Sequence, residues 1–133
     1  MNSEVVIRRA LKSDLDTIGE LWQEFMDFHK DRDLHLARSG DGHERFKEFI
    51  AGHMELETSC VLSAETHGNV VGYCLSSLAK NPPVFESLDY GTVLDLAVTS
   101  RFRRNGIGEK LYRSAEAWFR SLHIDRIEIR VVV

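Results

Sequence analysis

Val98-Thr99-Ser100-Arg101-Phe102-Arg103-Arg104-Asn105-Gly106-Ile107-Gly108 joins two strongly patterned segments. The run before it, Val93-Leu94-Asp95-Leu96-Ala97-Val98, reads as a strand. After it, Leu111, Ala115, Trp118, Phe119 and Leu122 recur at helical spacing, while Glu109, Lys110, Arg113, Glu116 and Arg120 fall on the other side. A helix that starts at Ile107 leaves backbone N–H groups unpaired at its first turn. Its dipole adds about half a positive charge there. Gly106 and Gly108 allow close approach of the backbone, and Arg101, Arg103 and Arg104 bring positive charge beside those amides. Two readings fit: a site for phosphate or pyrophosphate, or an ordinary helix start next to a solvated basic turn. The two standard phosphate fingerprints fail. A P-loop needs Lys after its last Gly, and Glu109 follows Gly108; a Rossmann loop needs a third Gly where Leu111 stands.

Outward from the loop, Val5 to Arg9 predicts a first strand. Ser13 with Asp16 three residues on suggests a capping box, and Leu15, Ile18, Trp22, Phe25 and Met26 predict a helix to about His29. Asp31 to Gly42 reads as a loop. Asp41 with Glu44 suggests a second cap, followed by an amphipathic helix through Phe46, Phe49, Ile50 and Met54. Ser59 to Glu65 and Val70 to Leu75 predict a hairpin turning at His67-Gly68-Asn69, with Gly72 marking a bulge or a close backbone approach. Asn81-Pro82-Pro83 breaks the chain. Arg126 to Val133 reads as a last strand. Strand, helix, helix, three strands, helix, strand implies an α/β (α+β) fold: a mostly antiparallel sheet with one strand–helix–strand crossover near its end, in two or three layers.

The chain has 133 residues, one domain's worth, so a single domain over 1–133 is expected. With 43% hydrophobic and 29% charged residues it is globular rather than disordered. A net charge of −4 disfavours a nucleic-acid partner and leans towards a cationic one. No run approaches the ~20 apolar residues of a bilayer span, and Met1-Asn2-Ser3-Glu4 lacks a signal-peptide pattern, so a cytoplasmic location is expected. Cys60 and Cys74 stand at roughly opposed hairpin positions, and two reduced core thiols are favoured over a cross-strand disulfide. His29, His35, His43 and His53 lack metal-site spacing and read as surface or helix-end residues, so no metal is expected.

Arg103-Arg104-Asn105-Gly106-Ile107-Gly108 resembles the R/Q-x-x-G-x-G/A loop of the GNAT N-acetyltransferase superfamily. The strand Leu94 to Val98, the helix Glu109 to Leu122, the opening Ile7-Arg8-Arg9-Ala10 with Asp14-Leu15, and Val70-Val71-Gly72-Tyr73 are similar to that family's elements, so the resemblance spans nearly the whole chain. It implies a GNAT-like fold and acyl transfer from acetyl-CoA to a primary amine. It also implies that the amides of Arg103, Arg104, Asn105, Gly106, Ile107 and Gly108 bind the CoA pyrophosphate. The backbone of Leu96 and Val98 would pair with the pantetheine arm, and the Leu96 N–H would polarise the thioester carbonyl. Catalysis would then be largely proximity in a ternary complex.

The family continues past its fifth strand with another helix and further strands, which usually supply an Asn near the CoA arm and a Tyr that protonates the leaving thiolate. Tyr73, Tyr90 and Tyr112 do not match that Tyr, and the sequence ends at Val133. The expectation is therefore a C-terminally truncated acetyltransferase. The alternative is a CoA-binding or regulatory module without catalysis, and a weaker one a dimerisation fragment that binds no ligand. An apolar edge at Ile129 to Val133 implies a homodimer through the C-terminal strand.

Asp95 is the candidate general base; the same residue would serve as a structural acid bonded to a loop. Regular alternation puts Leu94, Leu96 and Val98 on one face and Asp95 with Val93 and Ala97 on the other. Thr92 stands where some family members carry a catalytic Glu. Glu86 and Asp89 read as a solvated loop or as contacts to a cationic acceptor, and the loop from Asp31 to Arg38 lies where the family often shapes its acceptor pocket.

Overall fold

The computed structural model describes residues 4–30, 42–80, 84 and 89–130. Its elements in chain order are β1 (Val6–Arg9), a 3-10 turn (Lys12–Asp14), α1 (Leu15–Lys30), α2 (Gly42–Met54), β2 (Ser59–Thr66), β3 (Asn69–Lys80), β4 (Asp89–Val98), a second 3-10 turn (Ser100–Phe102), α3 (Ile107–Ser121) and β5 (Ile127–Ile129). The five strands lie side by side in sequence order. β1 to β4 pair antiparallel, and β5 runs parallel to β4 because α3 carries the chain back across the sheet. The expected mixed, mostly antiparallel sheet flanked by helices is what forms.

The layers number three. On one face, α1 and α2 bury Ile18, Leu21, Phe46 and Ile50 against Val61, Tyr73, Leu75 and Ala97. Trp22 stacks on Phe46 with ring centroids 4.8 Å apart, which joins the two helices. On the other face, α3 buries Ile107, Leu111, Ala115 and Phe119 against Cys60, Leu62, Cys74 and Val93. Each apolar stripe at helical spacing thus finds a strand face of matching period.

The structure corrects several expectations. The first helical turn begins one residue before Ser13: the Asp14 carboxylate accepts the Leu11 N–H at 2.8 Å, while Asp16 pairs with Lys47 at 2.6 Å across α1 and α2. A carboxylate at position 14 is closer to the free N–H groups than one at position 16, and Arg8 holds it there at 2.7 Å. The hairpin turns on His67 and Gly68, both at positive φ (51° and 77°). The return strand expected to start at Val70 spans Asn69 to Lys80, and the one expected from Val93 starts at Asp89. Cys60 pairs with Ser76 and Cys74 with Leu62, so the two thiols share a face two positions out of register. Both are free and buried, and burial pushes Cys74 up to about 12. The Asp31–Arg38 loop, Asp41, Asn81-Pro82-Pro83, Glu86 and Val131–Val133 lie outside the described residues.

The largest correction is in β4. Its register against β3 slips between Leu75 and Ser76: Leu75 faces Asp95, and Ser76 faces Val93. Leu94 is therefore an extra residue, a β-bulge. Val93 joins the α3 face, while Leu94 packs with Ala97 towards α1 and α2. Regular alternation placed both on the opposite faces, because it counts every residue as paired.

Candidate functional site

Past the bulge, the Thr99 N–H donates to the Val71 carbonyl at 2.9 Å. Backbone direction alternates along an antiparallel ladder, so Ala97 and Asp95 also point their polar groups at β3. Leu96 and Val98 consequently turn theirs away from it. Nearer its start, β4 is covered on that side: β5 pairs with Gly91, Thr92 and Val93.

Asp95 sits on the α1–α2 face, where the Tyr73 hydroxyl donates to its carboxylate at 2.9 Å. Burial pushes the Asp95 carboxyl up to about 6, against the opposing pull of the Tyr73 hydroxyl and the Leu96 N–H. The same burial, together with the adjacent carboxylate, drives the Tyr73 phenol far above its ordinary value, so Tyr73 stays a donor. The Leu96 N–H expected to face a thioester is thus also in contact with Asp95. Thr92 lies on the same sheet face and is buried, and its hydroxyl finds no hydrogen-bond partner among the described residues.

On the other side of β4, the glycine loop closes over Leu96: a Cβ at Gly108 would stand 3.7 Å from Leu96 Cδ2. Gly106 is the residue before α3, at φ 76°, and no side chain caps the helix there. Its carbonyl takes the first helical hydrogen bond, from the Lys110 N–H at 3.1 Å. The amides of Ile107, Gly108 and Glu109 therefore have no acceptor within the helix. The Ile107 side chain is 1% exposed and anchors this turn in the core. Arg104 also holds positive φ, 67°, a left-handed conformation that costs a non-glycine residue about 1–2 kcal/mol. Arg101, Arg103, Arg104, Asn105 and Gly106 are exposed.

Arg103 does not point its charge freely towards those amides. Its Nε donates to the Val98 carbonyl at 3.1 Å, its guanidinium lies 3.7 Å from the Glu24 carboxylate, and it sits 5.3 Å over the Phe28 ring. Glu24 and Phe28 belong to α1, more than seventy positions upstream, and nothing in the local pattern of α1 marked them.

The strand backbone at Leu96 and Val98, the loop from Arg103 to Gly108 and the Asp95 carboxylate are therefore brought together around the second half of β4. Donor amides at a helix start, with cations nearby, fit a pyrophosphate. A shallow cleft of about 510 Å³ also starts at Gly106 and follows α3 past Lys110 and Arg113 to Ser114. Ile7 of β1 also lines it, and neither Asp95 nor Leu96 does, so it meets this grouping only at Gly106. Among the described residues no three His, Cys, Asp or Glu side chains gather as metal ligands, and no helix is long and apolar enough to cross a membrane. His53, the last-turn residue of α2, bonds Ser59 Oγ through Nδ1 at 2.7 Å.

Comparison with known proteins gives a family by sequence and a fold by shape. The family model described as "Acetyltransferase (GNAT) family" matches residues 17–133. No curated protein matches. A tetramutant of the BH1408 protein from Bacillus halodurans superposes with a TM-score of 0.81 at 22% identity, over 96% of this chain and 83% of its own. An acetyltransferase from Vibrio fischeri gives 0.76 at 22% identity, over 95% of each chain. A protein from Clostridium acetobutylicum, described as a predicted acetyltransferase with acetyl-CoA, gives 0.77 at 12% identity, over 98% of this chain and 81% of its own. At such identities the likeness speaks for the fold, and the family model speaks for kinship. The chain belongs to the GNAT acetyltransferase family.

Proposed function

We propose that this chain, as one domain, binds acetyl-CoA and transfers its acetyl group to a primary amine directly, in a ternary complex. The observation that carries this is the arrangement of β4 past the Leu94 bulge. There Asp95 lies on the α1–α2 face, while the Leu96 and Val98 backbone turns away from β3 next to the glycine loop. An amine and a thioester could then meet across a single strand.

In this scheme the amides from Arg103 to Gly108 hold the pyrophosphate, and the Leu96 and Val98 backbone pairs with the pantetheine arm. The Asp95 carboxylate takes one proton from the acceptor ammonium. The freed amine nitrogen attacks the thioester carbonyl carbon, whose oxygen is met by the Leu96 N–H. As the tetrahedral adduct collapses, the C–N bond is kept, the C–S bond breaks, and the thiolate takes the second amine proton. A carboxyl near 6 is ionised at neutral pH yet more basic than a free aspartate, which suits a base. Homodimerisation through β5 belongs to the same proposal and is supported by Ile129, 57% exposed on the last described strand of the sheet.

The test is calorimetric titration with acetyl-CoA, followed by thiol release with a panel of amines. Saturable one-to-one binding that is lost in Gly106→Asp and Arg103→Glu is expected, with thiol release lost in Asp95→Asn. Binding without thiol release for any amine makes the chain a CoA-binding module. No binding at millimolar acetyl-CoA removes both readings. A sizing column that shows only monomer at every concentration removes the dimer.

A further inference from the structure

We infer that Glu24 is a positioning residue for the cofactor loop; this rests on the acetyl-CoA reading above. The connection between β4 and α3 has few backbone bonds of its own: Phe102 N–H to the Thr99 carbonyl at 2.9 Å and Arg103 N–H to the Ser100 carbonyl at 3.4 Å. Thr99 N–H ties its start to the Val71 carbonyl of β3, and Phe102 packs against the core. The remaining tie comes from α1. One oxygen of the Glu24 carboxylate accepts the Thr99 hydroxyl at 3.0 Å, and the other accepts the Ser100 N–H at 3.2 Å. The second oxygen also lies 3.7 Å from the Arg103 guanidinium. One side chain thus fixes three of the five residues from Thr99 to Arg103, at the point where the chain leaves β4.

Backbone amides bind an anion well only when they already point at it, because ordering a loop on binding subtracts from affinity. Glu24 supplies that order from a separate element. Its charge works the other way. A carboxylate beside an anion site repels the ligand and draws Arg103 towards α1, and both effects are screened because the Glu24 side chain is 40% exposed. The two hydrogen bonds, rather than the charge, are the part that positions the loop. Glutamine keeps both, with its carbonyl accepting the Ser100 N–H and its amide donating to the Thr99 oxygen.

The experiment titrates acetyl-CoA into the wild-type chain and into Glu24→Ala, Glu24→Gln and Thr99→Val, at a temperature where thermal melts show all four folded. Loss of these hydrogen bonds should weaken binding about tenfold in Glu24→Ala, or about 1.4 kcal/mol. Thr99→Val should lose about threefold or more, and Glu24→Gln should recover to within about threefold of wild type. A merely structural Glu24 lowers the melting temperature of Glu24→Ala and leaves its Kd unchanged, which overturns the inference. A Glu24→Gln variant as weak as Glu24→Ala overturns it too. If Glu24→Ala does not fold, Thr99→Val at wild-type affinity is the overturning result. Failure of the wild-type chain to bind defeats the acetyl-CoA reading itself, a different outcome from wild-type binding with indifferent variants.

Discussion

The Tyr73 hydroxyl reaches the Asp95 carboxylate across 2.9 Å, from β3 to the neighbouring strand and two positions out of register. Tyr73 is fully buried, so the carboxylate is approached from below by a rigid donor. Asp95 is held in place, yet its charge is costly there.

That cost gives a prediction for Asp95→Asn. A carboxyl raised from 3.8 to about 6 binds a proton more readily folded than unfolded. Stability should therefore fall as pH rises from about 4 to about 6, with roughly 2–3 kcal/mol lost at neutral pH. Asn keeps an acceptor for Tyr73 and carries no charge, so Asp95→Asn should flatten this slope and raise the melting temperature at pH 8. If Asp95 is also the base, thiol release in the wild type rises with pH through about 6. Melts and rates at matched pH check both halves.

Asp14 behaves in the opposite sense. Burial alone would raise its carboxyl, but Arg8 at 2.7 Å, the Leu11 N–H and the Ser63 hydroxyl outweigh burial and hold it below the ordinary value. Its contribution is complete above the unfolded aspartate range and is lost as pH falls through the lowered folded value. Asp14→Ala should cost about 2–3 kcal/mol at pH 7, because Ser63 and part of Arg8 lose a buried partner. Urea melts at pH 7 check the size of the loss, and it should shrink as pH falls through the lowered folded value.

Gly91 predicts a packing failure. A Cβ there would fall 2.6 Å from the Phe119 ring, which is fully buried. Gly91→Ala should destabilise by about 1–3 kcal/mol, by pushing α3 off β4 or twisting the ring from its rotamer. The double variant Gly91→Ala with Phe119→Leu should recover part of that loss, which a double-mutant cycle measures.

Thr92→Val replaces a buried hydroxyl that has no hydrogen-bond partner among the described residues with a methyl group of similar size. An unpaired buried hydroxyl costs about 1–3 kcal/mol, so the variant should be at least as stable as wild type and melt higher. A lower melting temperature would mean that the hydroxyl is bonded after all.

Most of the fold was legible because periodicity survives in a single sequence. Ile18, Trp22 and Phe25 on α1, and Leu111, Ala115 and Phe119 on α3, repeat at helical spacing and face the sheet. His67 and Gly68 marked the hairpin through their left-handed turn. The turn before α3 was legible as a helix start, with Gly106 at positive φ just ahead of the apolar stripe. The faces of Val93 and Leu94 were not, since a bulge is a property of two paired strands, and the step from Leu75 to Ser76 leaves no mark on β4 alone. Tyr73 as the partner of Asp95 is hidden for the same reason. Glu24 is one acid among several on an exposed helix side, and its meaning comes from the Thr99 hydroxyl and Ser100 N–H, which only folding brings near.

The extra residue at Leu94 divides β4 into two segments of opposite phase. Deleting that one residue would make Val93 and Asp95 immediate neighbours in an uninterrupted zigzag, opposite Ser76 and Leu75 as they already are, with every other side chain still on its own face. What would go is the local bend and added twist that a bulge puts into a strand. The bulge follows directly on Val93, the last residue of β4 that β5 covers. The surplus residue therefore sets the direction in which the uncovered half of β4 leaves the sheet, and not which face each side chain takes.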